Sequence, residues 1–146
     1  MSLVSHRLSV DTAAAIDLVN ITPLIQAQVK TTGIQHGQAT IFSCHTTTAI
    51  IVNEDEARLR TDIATYLRQL APPQNRYLHN DLHLREVPPD EPINAHSHLM
   101  AITLGNSAVV PILQGQLALG TYQSVLLVEL DGPRSDRQVL VQLWGQ

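Results

Sequence analysis

Cysteine is almost absent from this chain: Cys44 is the single cysteine among 146 residues. One cysteine cannot form a disulfide bond within the chain, so we expect a reducing compartment, the cytoplasm. Long apolar segments are absent as well, because runs such as residues 124–130 fall far short of the roughly 20 residues that a membrane helix needs. The first residues lack the basic and then apolar pattern of a signal peptide. These absences predict a cytoplasmic protein with no membrane partner.

Basic residues are too few for a nucleic-acid-binding protein. Nine lysines and arginines stand against 13 aspartates and glutamates, which gives a formal net charge of -4. The chain therefore has no cationic excess with which to displace counterions from phosphates. We expect no nucleic-acid partner.

Apolar residues, in contrast, are plentiful enough for a hydrophobic core. They make up 44% of the chain, and charged residues make up 15%. This composition is ordinary for a globular protein and far from that of a disordered one. Because 146 residues is a common length for one domain, we predict a single domain over residues 1–146.

The first half of the chain alternates predicted strands and helices. LVSHRLSV has the alternation of a strand, and QATIFSCHTTTAIIVN, rich in β-branched residues, predicts one or two more. TPLIQAQVKTTG predicts a helix with Thr22 as N-cap, Pro23 at its first position and Gly33 after its end. EDEARLRTDIATYLRQLAPP predicts a second helix, since it starts acidic and has apolar residues at helical spacing: Leu59, Ile63, Tyr66, Leu67 and Leu70.

The second half begins with a proline-rich segment, residues 71–94, whose length and histidines predict a functional loop. SHLMAITLG predicts a short buried helix with Ser97 as cap and Gly105 beyond its end. SAVVPI, GQLAL, TYQSVLLVEL and RQVLVQLW predict strands, with turns at QG and DGPR. This order of elements predicts an α+β fold, in which a mostly antiparallel sheet packs with two or three helices.

Histidine is the residue type that most needs an explanation, because four of the seven histidines lie in or near this loop and a fifth, His45, lies on a predicted strand. A zinc site needs imidazoles or carboxylates that converge, but neither HExxH nor paired CxxC is present. Residues two apart on a helix do not share a face, so His96 and His98 are expected to have different roles, with His98 the functional one. We interpret His79 as functional and His83 as solvated.

Cys44 and His45 are adjacent, which suggests a thiolate with its base. In an extended strand, neighbouring side chains point to opposite faces, so these two cannot form a dyad. We expect Cys44 in the core and His45 at a cleft. Asn53 and Glu54 are expected to cap the second helix, where a carboxylate meets free N–H groups.

A second polar cluster, ELDGPRSDR, ends an apolar strand. Glu129 and Asp131 fall on one side of that strand by its period of two, and Arg134 and Arg137 follow a turn. Acids that hold a metal, beside an arginine that grips phosphate oxygens, suit a small phosphorylated substrate. Glu129, Asp131 and Arg134 are therefore the candidate catalytic residues.

Taken in order, HTTTAIIVNEDE, Asp62, YLHND, NAHSH, PILQGQLALGTYQ and ELDGPRSDRQVLVQ resemble the successive signatures of the secondary thiamine-phosphate synthase family, the YjbQ-like proteins. The resemblance extends from about Ile41 onward. It implies an α+β homotrimer with a histidine-lined cleft that binds a divalent metal ion, zinc or else magnesium. It also implies a side activity that joins a hydroxymethylpyrimidine diphosphate to a thiazole phosphate, with thiamine phosphate and pyrophosphate as products.

Matched position by position, the resemblance places the metal-binding histidines on His45, His79 and His98. His96 falls on a variable position of the same pattern, which implies a solvent-facing or supporting role. The E-x-D-G-P-R motif of the family falls on residues 129–134.

Two positions depart from the family pattern. Tyr122 stands where tryptophan is usual, which preserves an aromatic surface. Ser135 and Asp136 separate Arg134 from Arg137, where a more continuous basic run is common. This weakens the case for an anion site formed by several adjacent basic residues.

Three functions stay open at this point. The first is a transferase, in which Arg134 grips the diphosphate and a histidine-held metal ion stabilises the leaving pyrophosphate. The second is a zinc-dependent hydrolase of a small phosphorylated or acyl substrate. The third is a non-catalytic trimer that binds a metabolite.

Overall fold

The chain folds into eight strands and three α-helices in a computed structural model that describes residues 1–146. The strands are β1 (Ser2–Val10), β2 (Asp17–Asn20), β3 (His36–Ser43), β4 (Thr48–Asn53), β5 (Ser107–Leu113), β6 (Gln116–Leu117), β7 (Ser124–Glu129) and β8 (Arg137–Gly145). The helices are α1 (Thr22–Thr32), α2 (Ala57–Leu70) and α3 (Ala95–Leu104). Two short 3-10 turns, Leu78–Asn80 and Leu82–Leu84, lie in the loop between α2 and α3.

The strands form two antiparallel sheets. One has five strands in the order β1-β8-β3-β5-β6, and the other has three in the order β2-β7-β4. Every strand pair in both sheets is antiparallel. The predicted α+β fold with a mostly antiparallel sheet is confirmed. None of the helices is long and apolar enough to cross a membrane.

The three-stranded sheet is the middle layer of the molecule, and β7 runs through its centre. Val125 and Leu127 belong to a core of 17 buried residues between the two sheets, with α1 at its side. Leu126 and Val128 belong to a second core of nine residues that includes Leu67 of α2 and others from α3. Both faces of β7 are thus covered, which explains its continuous apolar sequence without alternation.

The structure corrects the predicted start of α1. Ile21, not Thr22, is the N-cap residue, and the Asn20 side chain accepts from Thr22 N at 3.1 Å. The Thr22 hydroxyl accepts a hydrogen bond from the Val125 backbone N–H at 2.8 Å, which links the helix to β7. Gly33 ends the helix as predicted, with a left-handed φ of 74° that favours glycine.

The predicted α2 is confirmed, although it is shorter than the segment proposed. Glu56 is its N-cap, and the carboxylate accepts from Leu59 N at 2.6 Å. Leu67 is fully buried, whereas Tyr66 and Leu70 are exposed. The buried face is therefore narrower than the apolar spacing indicated, since the helix covers only one edge of the second core.

The structure also corrects the predicted cap of α3 and the predicted site of Cys44. The helix begins at Ala95 after Asn94, so Ser97 lies inside it, fully buried, and donates to the Leu130 carbonyl at 2.6 Å. The segment QATIFSCHTTTAIIVN forms two strands, and Cys44 lies in their connection and is exposed rather than part of the core. The alternation used to place Cys44 does not apply there, because the chain is not extended.

Candidate functional site

His45 sits in the connection between β3 and β4, next to the start of β8. Its Nε2 accepts a hydrogen bond from the Gln138 backbone N–H at 2.8 Å. This contact requires a bare lone pair on Nε2, so the ring proton lies on Nδ1 when the imidazole is neutral. Nδ1 is therefore the free atom of His45, and in the neutral ring it carries the proton, so His45 is not a metal ligand while Nε2 accepts from Gln138 N.

A cavity of about 530 Å³ brings His45 together with His98. Its wall consists of residues from the β3–β4 connection, the start of β4, α3 and the residues after α3: His45, Thr46, Thr48, His98, Ala101, Ile102, Gly105 and Asn106. We call this cavity the histidine pocket. Its size falls within the range of small-molecule sites, about 300–1,000 Å³.

His79 contacts the His98 ring but does not line the histidine pocket. The two rings meet edge to face, with their centroids 4.7 Å apart. The Asn80 side chain accepts from the Ala95 backbone N–H at 3.2 Å, so the 3-10 turn that carries His79 is fastened to the start of α3. The His79 Nε2 atom is buried and has no hydrogen-bond partner within the chain. A buried atom of this kind is uncommon and calls for a ligand, a water molecule or an ion.

His96 lies within α3 instead of before it, and it does not line the histidine pocket. Its Nε2 is 3.4 Å from the Ser97 hydroxyl, and its Nδ1 is buried without a partner. The two side chains point differently, as their helical spacing predicts. Of the two roles implied for His96, solvent-facing or supporting, the buried Nδ1 atom favours the supporting one.

Burial is the largest cause of the shifted pKa of three histidines. It lowers the pKa of His45, with the Arg137 charge acting in the same direction. It lowers the pKa of His98, and the neighbouring His79 adds to the decrease. It also lowers the pKa of His96, against the opposing charge of Asp131. The lowered pKa favours the neutral imidazole in each of the three, and a neutral imidazole binds a metal ion only through a ring nitrogen that carries no proton and has no other partner.

Glu129 is fully buried at the end of β7 and forms an ion pair with the buried Arg137. Arg137 donates from Nε to Oε1 at 2.8 Å and from Nη2 to Oε2 at 2.5 Å. The Thr12 hydroxyl and the backbone N–H groups of Leu130 and Asp131 also donate to this carboxylate. Its lone pairs are thus used within the chain, and the carboxylate does not reach the histidine pocket.

Asp131 and Arg134 lie on the turn after β7. The Arg134 guanidinium donates from Nη2 to the Asp131 carboxylate at 3.1 Å and from Nε to the Asp131 carbonyl at 2.9 Å. The Asn94 side-chain amide donates to the same Asp131 oxygen at 2.8 Å, which connects this turn to the start of α3. Arg134 is exposed and keeps free N–H groups, which suits it to bind an anion.

Gly132 lets this turn lie close to the segment after β1. Its N–H donates to the Ala15 carbonyl at 3.1 Å, and a Cβ at this position would collide with the Ala14 carbonyl oxygen. Glycine is therefore required by close backbone approach. The position of Arg134 depends on that approach.

Comparison with known proteins identifies the family. The family model described as "UPF0047 protein YjbQ-like" matches residues 6–146. The chain belongs to this YjbQ-like family. A UPF0047 protein of Methanothermobacter thermautotrophicus is 37% identical over 146 residues, covering 100% of this chain and 95% of that protein.

Solved structures of YjbQ-like proteins have the same fold. A YbjQ-like protein of unknown function from Sulfolobus solfataricus superposes with a TM-score of 0.89 at 38% identity, covering 99% of each chain. An uncharacterised YjbQ/UPF0047 protein from Clostridium acetobutylicum gives a TM-score of 0.84 at 31% identity, covering 95% of this chain and 99% of that one. These matches confirm the expected YjbQ-like family and the expected α+β fold.

The three histidines predicted as ligands are not gathered into one cluster in the YjbQ-like chain. No group of three or more His, Cys, Asp or Glu side chains lies close enough together to hold a metal ion. His98 is the shared member, since it contacts His79 on one side and borders the histidine pocket with His45 on the other. Asp131 and Arg134 do not line that pocket.

Arg85 is a residue of this region that the sequence reasoning missed. Its Nη1 donates to the His79 carbonyl at 2.9 Å, and its charge helps to lower the pKa of His98 after burial and His79. Its ion pair with Glu91 is long, at 3.5 Å. The proline-rich loop has no periodic pattern, so nothing in the sequence indicated that this arginine returns to the histidines.

Proposed function

We propose that this YjbQ-like protein binds a divalent metal ion, zinc in the first instance, and acts as a transferase on a small phosphorylated substrate. The main support is the edge contact between His79 and His98, in which the His79 Nε2 atom is buried without a partner. Imidazole nitrogens are ligands that zinc prefers. His45, across the pocket, would supply a further nitrogen only after its ring gave up the hydrogen bond from Gln138 N.

The proposed reaction joins a hydroxymethylpyrimidine diphosphate to a thiazole phosphate. The C–O bond from the pyrimidine methylene to the diphosphate breaks, a C–N bond to the thiazole nitrogen forms, and pyrophosphate leaves. The free N–H groups of Arg134 bind the diphosphate oxygens, while Asp131 orients that guanidinium. Arg85 adds positive charge on the His79 side. A bound zinc ion would supply further stabilisation of the leaving pyrophosphate.

The first experiment incubates tag-free protein with both thiamine precursors and measures thiamine phosphate. Arg134→Ala should lower the rate by about 100-fold, the usual cost of losing one group that stabilises transition-state charge. Arg58→Ala is the matched control, since Arg58 is exposed and forms no ion pair. Equal rates for both variants, or no product from the unaltered protein, would reject the transferase.

The same protein distinguishes the other two functions. Chelator-sensitive release of phosphate or acid from simple esters would indicate a zinc-dependent hydrolase. Tight binding of a phosphorylated metabolite without turnover would indicate a non-catalytic binding protein. We keep a cytoplasmic location as part of the proposal because the single Cys44 is free.

We also propose that the chain assembles as a homotrimer. Support comes from the outer face of the five-stranded sheet, where no helix packs and where Arg7 is the only charged side chain at the outward positions of the four long strands. Exposed apolar side chains on this face include Leu3, Phe42, Val109, Leu113 and Trp144. Such a face is typical of a protein interface.

Light scattering tests the trimer. The expected mass is three times the 16.0 kDa chain mass. Phe42→Lys and Trp144→Lys should release the monomer, because a buried unpaired charge opposes association. Arg58→Lys serves as the control, and a monomeric unaltered protein would reject the trimer.

A further inference from the structure

A second cavity lies at the opposite end of β4 and β7 from the histidine pocket. It has a volume of about 560 Å³, and its wall consists of Val52, Asn53, Glu54, Tyr122 and Gln123. Thr48 borders the histidine pocket and Asn53 borders this one, so β4 separates them by about 17 Å at a rise of about 3.4 Å per residue. We call it the tyrosine pocket. It brings together two sequence motifs, VNEDE and GTYQ, that the proposed transferase does not use.

Tyr122 is held on a closed turn with its ring directed outward. Gly120 N donates to the Gln123 side-chain oxygen at 2.8 Å, and Gln123 N donates to the Gly120 carbonyl at 3.0 Å. The Tyr122 side chain is nevertheless 75% exposed. These hydrogen bonds fix the backbone that carries the ring, so a flat partner can contact Tyr122 without first ordering the turn.

Glu54 is the acidic residue of its segment that has no partner. Asp55 forms an ion pair with Arg60 at 2.6 Å, and Glu56 accepts from Leu59 N at the start of α2. The Glu54 carboxylate has no ion pair and no hydrogen bond, so the predicted capping role belongs to Glu56 instead. The wall of the tyrosine pocket therefore includes one carboxylate without a partner, that of Glu54.

The two amides of the pocket each keep a free donor group. Asn53 Oδ1 accepts from Glu54 N at 2.7 Å, and Gln123 Oε1 accepts from Gly120 N. Their NH₂ groups have no partner within the chain. No lysine, arginine or histidine contributes to the wall.

We propose that the tyrosine pocket binds a planar organic cation, a small ring compound with a charged nitrogen. The ring stacks on Tyr122, the Glu54 carboxylate balances the charge, and the Asn53 and Gln123 NH₂ groups donate to an acceptor on the ring. Aromatic faces attract such cations through their quadrupole, and a carboxylate nearby adds to that attraction. Because the wall has no cationic side chain, the positive charge that balances Glu54 has to come from the ligand.

The test is an NMR titration with N-methylpyridinium and its neutral isostere toluene. N-Methylpyridinium should shift the signals of the Tyr122 ring and of the Glu54 and Gln123 backbone, and the shifts should reach saturation. Toluene should bind about tenfold more weakly, because a desolvated cation contact contributes up to about 2 kcal/mol. Glu54→Gln should weaken N-methylpyridinium about tenfold, and Tyr122→Leu should abolish its binding. Tyr122→Trp should retain or tighten it, because tryptophan is the best cation acceptor.

Tyr66→Leu is the matched control, since Tyr66 is 62% exposed and lies outside the pocket. The affinity of the Tyr66→Leu variant for N-methylpyridinium should equal that of the unaltered protein. Equal binding of toluene, an unchanged affinity of Glu54→Gln, or shifts elsewhere on the surface would overturn the proposal. So would Tyr122 signals that are already buried by a second copy of the chain, because the pocket would then be an interface. Thiamine phosphate formation is measured separately, so either proposal stands or fails without the other.

Discussion

The Glu129 carboxylate and the Arg137 guanidinium form a buried ion pair that fastens together the segments on which the candidate site depends. Arg137 also donates to the Thr47 hydroxyl at 3.0 Å, beside His45. Thr12, which donates to Glu129, accepts in turn from Arg134 N at 2.9 Å. The ion pair therefore joins the β3–β4 connection, which carries His45, to the turn that carries Arg134. Neither Glu129 nor Arg137 lines the histidine pocket or the tyrosine pocket.

Removing one partner of this ion pair should strongly destabilise the fold. Glu129→Gln leaves the Arg137 charge buried and unbalanced, so the free energy of unfolding in urea should fall by about 3–5 kcal/mol. Asp81→Asn breaks the exposed pair with Arg76 and should cost about 1 kcal/mol or less. Similar losses in both variants would contradict a special role for the buried pair.

The same ion pair should make the free energy of unfolding depend on pH in the acid range. Burial alone raises the pKa of Glu129, but hydrogen bonds from Arg137 and Thr12 outweigh it and lower the pKa from 4.5. Because the folded pKa lies below the unfolded one, the stabilisation is present above about pH 4.5 and is lost as the pH falls through the folded pKa. Unfolding free energies from pH 7 to 3 should decline less steeply in Glu129→Gln. Glu86→Gln, at an exposed position, should keep the original slope.

Zinc affinity should depend on His79 and His98 more than on His45. His98→Leu and His79→Leu should each weaken zinc binding by about 100-fold or more, since loss of a supporting residue alone costs 10–100-fold. His45→Leu should cost less, because its Nε2 is engaged with Gln138. Calorimetry on tag-free protein measures these affinities, with the exposed His83→Leu as control. An unchanged affinity in both main variants would reject the ligand pair.

Gly132→Ala should disturb the turn that carries Arg134. The added methyl group meets the Ala14 carbonyl, which cannot move freely, so we expect a loss of about 1–3 kcal/mol in stability and weaker pyrophosphate binding. Gly33→Ala is the control, because Gly33 has a positive φ but open space around it. It should cost about 1 kcal/mol and leave pyrophosphate binding intact. Equal pyrophosphate affinity in both variants would contradict the dependence of Arg134 on Gly132.

Local patterns in the sequence were sufficient for most strands and helices. Alternation predicted β1, and the apolar spacing predicted α2. The caps were less predictable, since Thr22 and Ser97 have the right residue type but their hydroxyls are used by β7 and Leu130 instead. Tertiary contacts decide between these uses, and a local pattern does not contain them.

The candidate site was predictable only in part for the same reason. Spacing separated His96 from His98, but the edge contact of His98 with His79 joins residues on α3 and a distant turn. Glu129 illustrates the limit most clearly. An acid at the end of an apolar strand has the same sequence pattern whether it faces substrate or pairs with a buried arginine, and only the fold brings Arg137 beside it.

The burial of β7 on both faces has a mechanical consequence. Because β7 contributes side chains to both hydrophobic cores, we expect the two cores to unfold together in one transition. The histidine pocket and the tyrosine pocket lie toward opposite ends of β4, which pairs with β7 along its whole length. The distance between the two pockets is therefore set by the pairing of β4 with β7, the strand that is buried on both faces.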